Sequence, residues 1–248
     1  MTPSLRDRVA VVTGASSGIG ESTARALARE GSGLGLIARR TDRLETLRRE
    51  LEAAGASVLT CEADVRDIST LETFAKQMRS ELGPADCIVN NAGVMLLSEF
   101  SDAKRDEWHD TIETNVLGAM EVTSVFLPQL LEGGGDIVNV SSVAGRKARP
   151  TSSVYSSSKW ALNGWSEGLR QELADKDVRV IVVEPGATRT ELAQHISDPE
   201  IRRRNLDNYD LYDALTAEDI ADVIVFAVSR PRRVSVNEVL IRPTKQVY

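Results

Sequence analysis

Short β-branched apolar runs alternate with helix-patterned segments along nearly all of this 248-residue chain. No other feature restricts the fold as much. A strand that is apolar on both faces needs helices on both sides, and parallel βαβ units supply them. Residues 9–12, 34–37, 58–61, 87–89, 137–140, 178–183 and 239–241 read as strands. Residues 18–30, 43–54, 70–82, 104–131, 155–174 and 217–228 read as helices, with Leu44, Leu47 and Leu51 on one face of the second. Gly118 and Pro128 are expected to bend the long 104–131 helix. Right-handed crossovers put helices on both sheet faces. The expected architecture is therefore α/β: one doubly wound domain over residues 1–248 with a parallel seven-stranded sheet. Residues 186–215 break the rhythm, with Pro199, several charges and no strong period. An irregular insertion there predicts a lid over a substrate.

Hydrophobic residues make up 42% and charged residues 27%, as in an ordinary folded domain. Lysine and arginine number 30 against 37 acidic residues, a net charge of −7. Such a chain has no broad attraction for nucleic acid or an anionic membrane, so neither is expected as a partner. Residues 1–8 have no apolar signal core, and no apolar stretch approaches the roughly 20 residues of a membrane span. Two cysteines imply no disulfide framework, and a cytoplasmic location is expected. His109 and His195 lack ligand spacing, so no metal is expected.

The first strand runs into Thr13-Gly14-Ala15-Ser16-Ser17-Gly18-Ile19-Gly20 and then into a helix. Glycines let main-chain N–H groups approach an anion, and a helix N-terminus adds its positive dipole end. A strand, a glycine loop and a helix in that order make a pyrophosphate cradle. The spacing, T-G-x-x-x-G-x-G, resembles that of the short-chain dehydrogenase/reductase family of the non-extended type, a family with the Rossmann fold. Further motifs of that family follow in order: Asn90-Asn91-Ala92-Gly93, Asn115, Ser142, Tyr155 with Lys159, and Pro185-Gly186. The resemblance covers nearly the whole chain.

The resemblance implies a nicotinamide dinucleotide. The second strand ends Ala38-Arg39-Arg40, where an NAD-binding relative carries a carboxylate for the ribose hydroxyls. Guanidinium groups bind a 2′-phosphate through charge-assisted bonds. The expected cofactor is therefore NADP(H), with Arg39 the main contact and Arg40 a second one. Gly14, Ser16, Ser17, Gly18, Ile19 and Gly20 are the expected phosphate loop. The resemblance adds Asp64 and Val65 at the adenine, Asn91, Ala92 and Gly93 beside the cofactor, and Pro185, Gly186, Thr188 and Thr190 beside the nicotinamide.

Tyr155 and Lys159 stand four residues apart, on one helix face. A free phenol has a pKa of about 10. A neighbouring ammonium favours the phenolate, so Lys159 is expected to lower the Tyr155 pKa toward working pH. Ser142 ends the fifth strand, at the edge where ligands of open α/β sheets lie. The resemblance gives the roles: Tyr155 proton donor, Ser142 hydrogen-bond donor to the carbonyl oxygen, Lys159 ribose contact, and Asn115 holder of a relay water.

Met95, Val143, Ala144, Gly145, Arg146 and the segment 187–195, including His195, are expected to line the substrate pocket with Ser142, Tyr155 and Gly186. Arg146 and Arg149 are the cations available for a carboxylate. Residues 91–97 and the tail Ile241-Arg242-Pro243-Thr244 are similar to the clavulanic acid dehydrogenase and 3-hydroxy acid dehydrogenase branch, which implies a small acid-bearing carbonyl or alcohol substrate. Family members commonly pair through the Tyr155 helix, implying a homodimer or homotetramer. The competing class is an NADPH-binding regulatory protein without turnover, against which the intact Asn–Ser–Tyr–Lys set argues.

Overall fold

The computed structural model describes residues 5–247. Seven parallel strands form one sheet: β1 (Val9–Thr13), β2 (Gly33–Ala38), β3 (Val58–Glu62), β4 (Cys87–Asn90), β5 (Gly135–Val140), β6 (Val178–Pro185) and β7 (Glu238–Ile241). Their order is β3-β2-β1-β4-β5-β6-β7. The order reverses between β1 and β4, and such a switch point opens a crevice at the strands' carboxyl ends. The predicted strands are all present, each one or two residues longer than its apolar run.

Strand alternation divides the core in two. Ala10 and Val12 of β1 face one layer, which includes Leu27 of α1 (Gly18–Arg29), Leu44 of α2 (Thr41–Ala53) and Ile220 of α8 (Ala217–Val228). Val9 and Val11 face the other, with Phe74 of α3 (Ile68–Glu81), Phe126 of α5 (Gly118–Gly133) and Leu169 of α6 (Ser153–Leu173). Helices on both faces follow from strands buried on both faces.

Gly35 in β2 packs closely against the second layer. A Cβ there would lie 2.1 Å from the Met78 sulfur, and Met78 is fully buried. Gly35→Ala is expected to destabilise by about 1–3 kcal/mol through overpacking. A denaturant midpoint equal to that of the unsubstituted chain would contradict this.

Two segments differ from expectation. The 104–131 helix is three pieces: α4 (Arg105–Ile112), a π-helical turn over Glu113–Leu117, and α5. The π turn, not Pro128, interrupts it; Pro128 lies inside α5. The irregular 186–215 stretch holds a 3-10 turn over Glu191–His195 and a 14-residue helix, α7 (Pro199–Tyr212). Its start is readable: Asp198 caps the N–H groups of Glu200 and Ile201, and Pro199 occupies the first turn. Its apolar face is weak, with Ile201 the one buried residue in the helix, which is why no period stands out.

Candidate functional site

A cleft of about 400 Å³ runs along the carboxyl ends of the strands. At its floor the chain turns sharply between β1 and α1. Gly14 and Gly18 have φ of +64° and +54°, a region that favours glycine. A side chain at Gly14 would also stand 2.8 Å from Asn91 Nδ2. The Asn91 amide in turn donates to the Thr13 carbonyl at 2.9 Å, and the Asn91 and Ala92 N–H groups both donate to Thr13 Oγ1 at 3.0 Å. The glycine loop and the segment after β4 are thus tied together. Gly14, Ser16, Ser17, Gly18 and Ile19 line the cleft, as do Asp64, Val65, Asn91, Ala92 and Gly93. Gly20 does not line it, contrary to expectation. A Cβ there would meet the Gly14 carbonyl at 2.4 Å, so Gly20 serves the fold of the loop from behind.

Both arginines after β2 line the cleft. The Arg39 side chain is 66% exposed, with Asp64 at 3.9 Å. Arg40 lies over the glycine loop. Its guanidinium donates to Ser16 Oγ at 3.2 Å, to Ser17 Oγ at 2.5 Å and to Glu191 at 2.8 Å.

At the other end stand Ser142, Tyr155 and Lys159. The end of β5 presents Ser142, whose Oγ accepts from the Ala144 N–H at 3.0 Å and hydrogen-bonds the Tyr155 phenol. Tyr155 is 6% exposed, against Leu97, Ala193 and Met95. Lys159 lies one turn on in α6, also 6% exposed. Its ammonium donates to the Val140 carbonyl at 2.9 Å and lies 5.9 Å from the Tyr155 ring centre. Burial pushes the phenol up to about 12, and the Ser142 bond only partly opposes this. Burial also pulls Lys159 down to about 8. The expected lowering of Tyr155 by Lys159 is therefore not what this protein structure gives. Desolvation dominates because the phenol is enclosed.

Asn115 sits behind the cleft wall, 1% exposed, turned inward by the π turn. It accepts from the Val94 N–H at 2.8 Å and donates to the Val94 carbonyl at 2.9 Å and to Ser158 Oγ at 3.0 Å. Its amide locks the segment after Gly93 beside Lys159.

Pro185, Gly186, Thr188, Thr190, Met95, Val143 and His195 all line the cleft. Arg146 does not. Its guanidinium makes a two-pronged pair with Glu184 at 2.7 and 2.8 Å and also pairs with Glu238. Glu184 is fully buried on β6, so Arg146 neutralises a buried carboxylate. Lys147 and Arg149 line the cleft instead. Asn205, Asn208, Tyr209 and Tyr212 of α7 also line it, and sequence reasoning missed them along with the helix. Acidic groups enter the lining only at Asp64 and Glu191, among the described residues. Both belong to the arginine-rich end.

Comparison with known proteins agrees with this geometry. The family model described as short chain dehydrogenase matches residues 8–201. The glycine betaine reductase of Emericella nidulans is 41% identical over 96% of this chain, which spans only 19% of that much longer protein. The alcohol dehydrogenase of Thermococcus sibiricus, solved with 5-hydroxy-NADP, is 32% identical with a TM-score of 0.85, covering 96% of this chain and 97% of its own. A short chain dehydrogenase of Mycobacterium paratuberculosis, solved with NAD, is 26% identical with a TM-score of 0.88, covering 99% of this chain and 100% of its own.

Proposed function

The chain belongs to the short-chain dehydrogenase family and is an oxidoreductase; from that premise we propose that it moves hydride between NADP(H) and a small acid-bearing carbonyl or alcohol. The observation that carries the reading is the meeting of Ser142, Tyr155 and Lys159 in the cleft whose other end is the glycine loop. The site fits the dinucleotide: glycine turns without side-chain bulk at the loop, a basic end at Arg39 and Arg40, and no carboxylate at Ala38. The reduced nicotinamide, when bound, supplies the hydride. Tyr155 gives its proton to the substrate oxygen as negative charge develops there. Ser142 hydrogen-bonds that oxygen. Lys159, whose pKa burial pulls down to about 8, refills the phenolate, and Asn115 supports the backbone beside it.

Arg39 and Arg40 favour a 2′-phosphate. Charge-assisted bonds of about 1.5–3 kcal/mol predict a kcat/KM some ten- to hundredfold higher with NADPH than with NADH. Steady-state rates with both cofactors check this, and equal values or a preference for NADH would contradict it. Lys147 and Arg149, both lining the cleft, support an anionic substrate. Met95, Leu97 and Leu192 supply apolar wall, and α7 supplies amides and phenols. NADPH consumption on a panel of 3-oxo acids and their uncharged esters tests the class: acids turned over and esters poorly used support it, and the reverse order removes it.

Residues 186–215, with α7, are read as the substrate lid. Trp165 packs into the core, whereas Trp160 on the same helix is 54% exposed, which suits a contact between two copies of the chain. A homodimer or homotetramer is the assembly this favours, and light scattering decides it.

A further inference from the structure

Glu191 falls in the expected pocket segment 187–195 with no role of its own assigned there, yet it bridges the cleft. It opens the 3-10 turn that leads from Thr190 toward α7. One of its oxygens accepts from Arg40 at 2.8 Å, and both accept from Arg43 at 2.9 Å. Arg40 holds Ser16 and Ser17 of the glycine loop at the same time, and Arg43 stands in the first turn of α2. The neighbouring Thr190 lies against the loop as well: a Cβ built on Gly18 would be 3.2 Å from Thr190 Cγ2. Two adjacent lid residues thus span from β6 to the phosphate side of the cleft. The base of the same segment is fixed by main-chain bonds from Arg189 to Leu215 and from Leu215 to Ala187. Glu191 is therefore the charged tie on the far side, joining the lid to the wall opposite its hinge.

We propose that Glu191 is a positioning residue that clasps Arg40 and Arg43 to hold the lid shut over the bound dinucleotide, so that release of the cofactor waits on opening of this clasp. The inference rests on the cofactor reading above. The paired side chains are 36–43% exposed, so each pair contributes modestly and salt weakens it.

The test is stopped-flow release of NADPH, followed by its fluorescence, from the full chain and from Glu191→Gln. Release is expected to speed up about three- to tenfold, the worth of roughly 0.7–1.4 kcal/mol for one or two exposed pairs. Arg43→Gln, placed outside the cleft lining, should accelerate release by a similar factor, and the double variant by little more than either single one. Rising salt should speed release from the unsubstituted protein more than from Glu191→Gln, a readout that mere loss of lid folding would not give. Unchanged release in both variants overturns the clasp. Slower release from Glu191→Gln also overturns it, since the carboxylate would then be competing with the cofactor for Arg40. An unsubstituted protein that binds neither NADPH nor NADH overturns the cofactor reading itself, and the clasp with it.

Discussion

Tyr155→Phe is expected to lower kcat for carbonyl reduction by about 10²–10⁴-fold, the usual worth of a positioned general acid. NADPH should still bind. The substitution removes one oxygen from a side chain that is 6% exposed and leaves the ring against Leu97 and Ala193, so the cleft keeps its shape. Without that oxygen, Ser142 still offers a hydrogen bond to the substrate but has no proton to give away at the end. Direction and pH are coupled. Reduction needs the phenol and alcohol oxidation needs the phenolate, so oxidation should rise with pH and reduction should fall. The ligand-free phenol stands at about 12, and a cationic nicotinamide beside it pulls this down. The pH midpoint for oxidation is therefore expected below 12. Retention of most reductase activity by Tyr155→Phe, measured at saturating NADPH, would contradict the assignment.

The largest stability effect is expected at the opposite end of the sheet. Asp136 of β5 is fully buried and stands across from Arg179 of β6 in register. Arg179 holds it with two bonds, at 2.6 and 3.0 Å, while Arg8 approaches at 2.8 Å and Arg232 at 3.3 Å. Arg8 also pairs with Asp86 at 2.8 Å and Arg232 with Asp177 at 3.6 Å, whereas Arg179, 6% exposed, has Asp136 as its carboxylate partner among the described residues. Arg179 also donates to the carbonyls of Val228, Arg230 and Val234, joining β6 to the chain beyond α8. Asp136→Ala strands a buried cation, and breaking such a pair costs about 3–5 kcal/mol. Urea unfolding of the two proteins measures this. A loss below about 1 kcal/mol, the range of an exposed pair, would contradict the burial argument. The cleft lies at the other ends of these strands, so the folded fraction should keep its cofactor affinity.

The sheet was legible because each strand is apolar on both faces and therefore reads as a continuous run. The glycine loop was legible because its residues are adjacent in the chain. What escaped depends on partners far away. Arg146 reads as a cation next to Ser142; only the folding of Glu184, 38 residues on, turns it away from the cleft. Gly20 reads as one more loop glycine until the Gly14 carbonyl is seen above it. The Tyr155–Lys159 spacing places the pair, but the sequence does not reveal how thoroughly both are desolvated, and that reverses the expected direction for the phenol. The π turn follows from a shift in backbone hydrogen bonding that leaves no apolar period, although it aims Asn115 inward. α7 carried a readable start at Asp198 and Pro199, overlooked because its buried face is so small.

The central claim is hydride transfer within this cleft, and an isotope label tests it most directly. NADPH deuterated at the transferable C4 position, incubated with the unsubstituted protein and the 3-oxo acid panel, should deliver deuterium to the former carbonyl carbon of the product alcohol. Oxidised cofactor should appear in equal amount. Bound NADPH with no deuterated alcohol from any member of an acid and ester panel would contradict it.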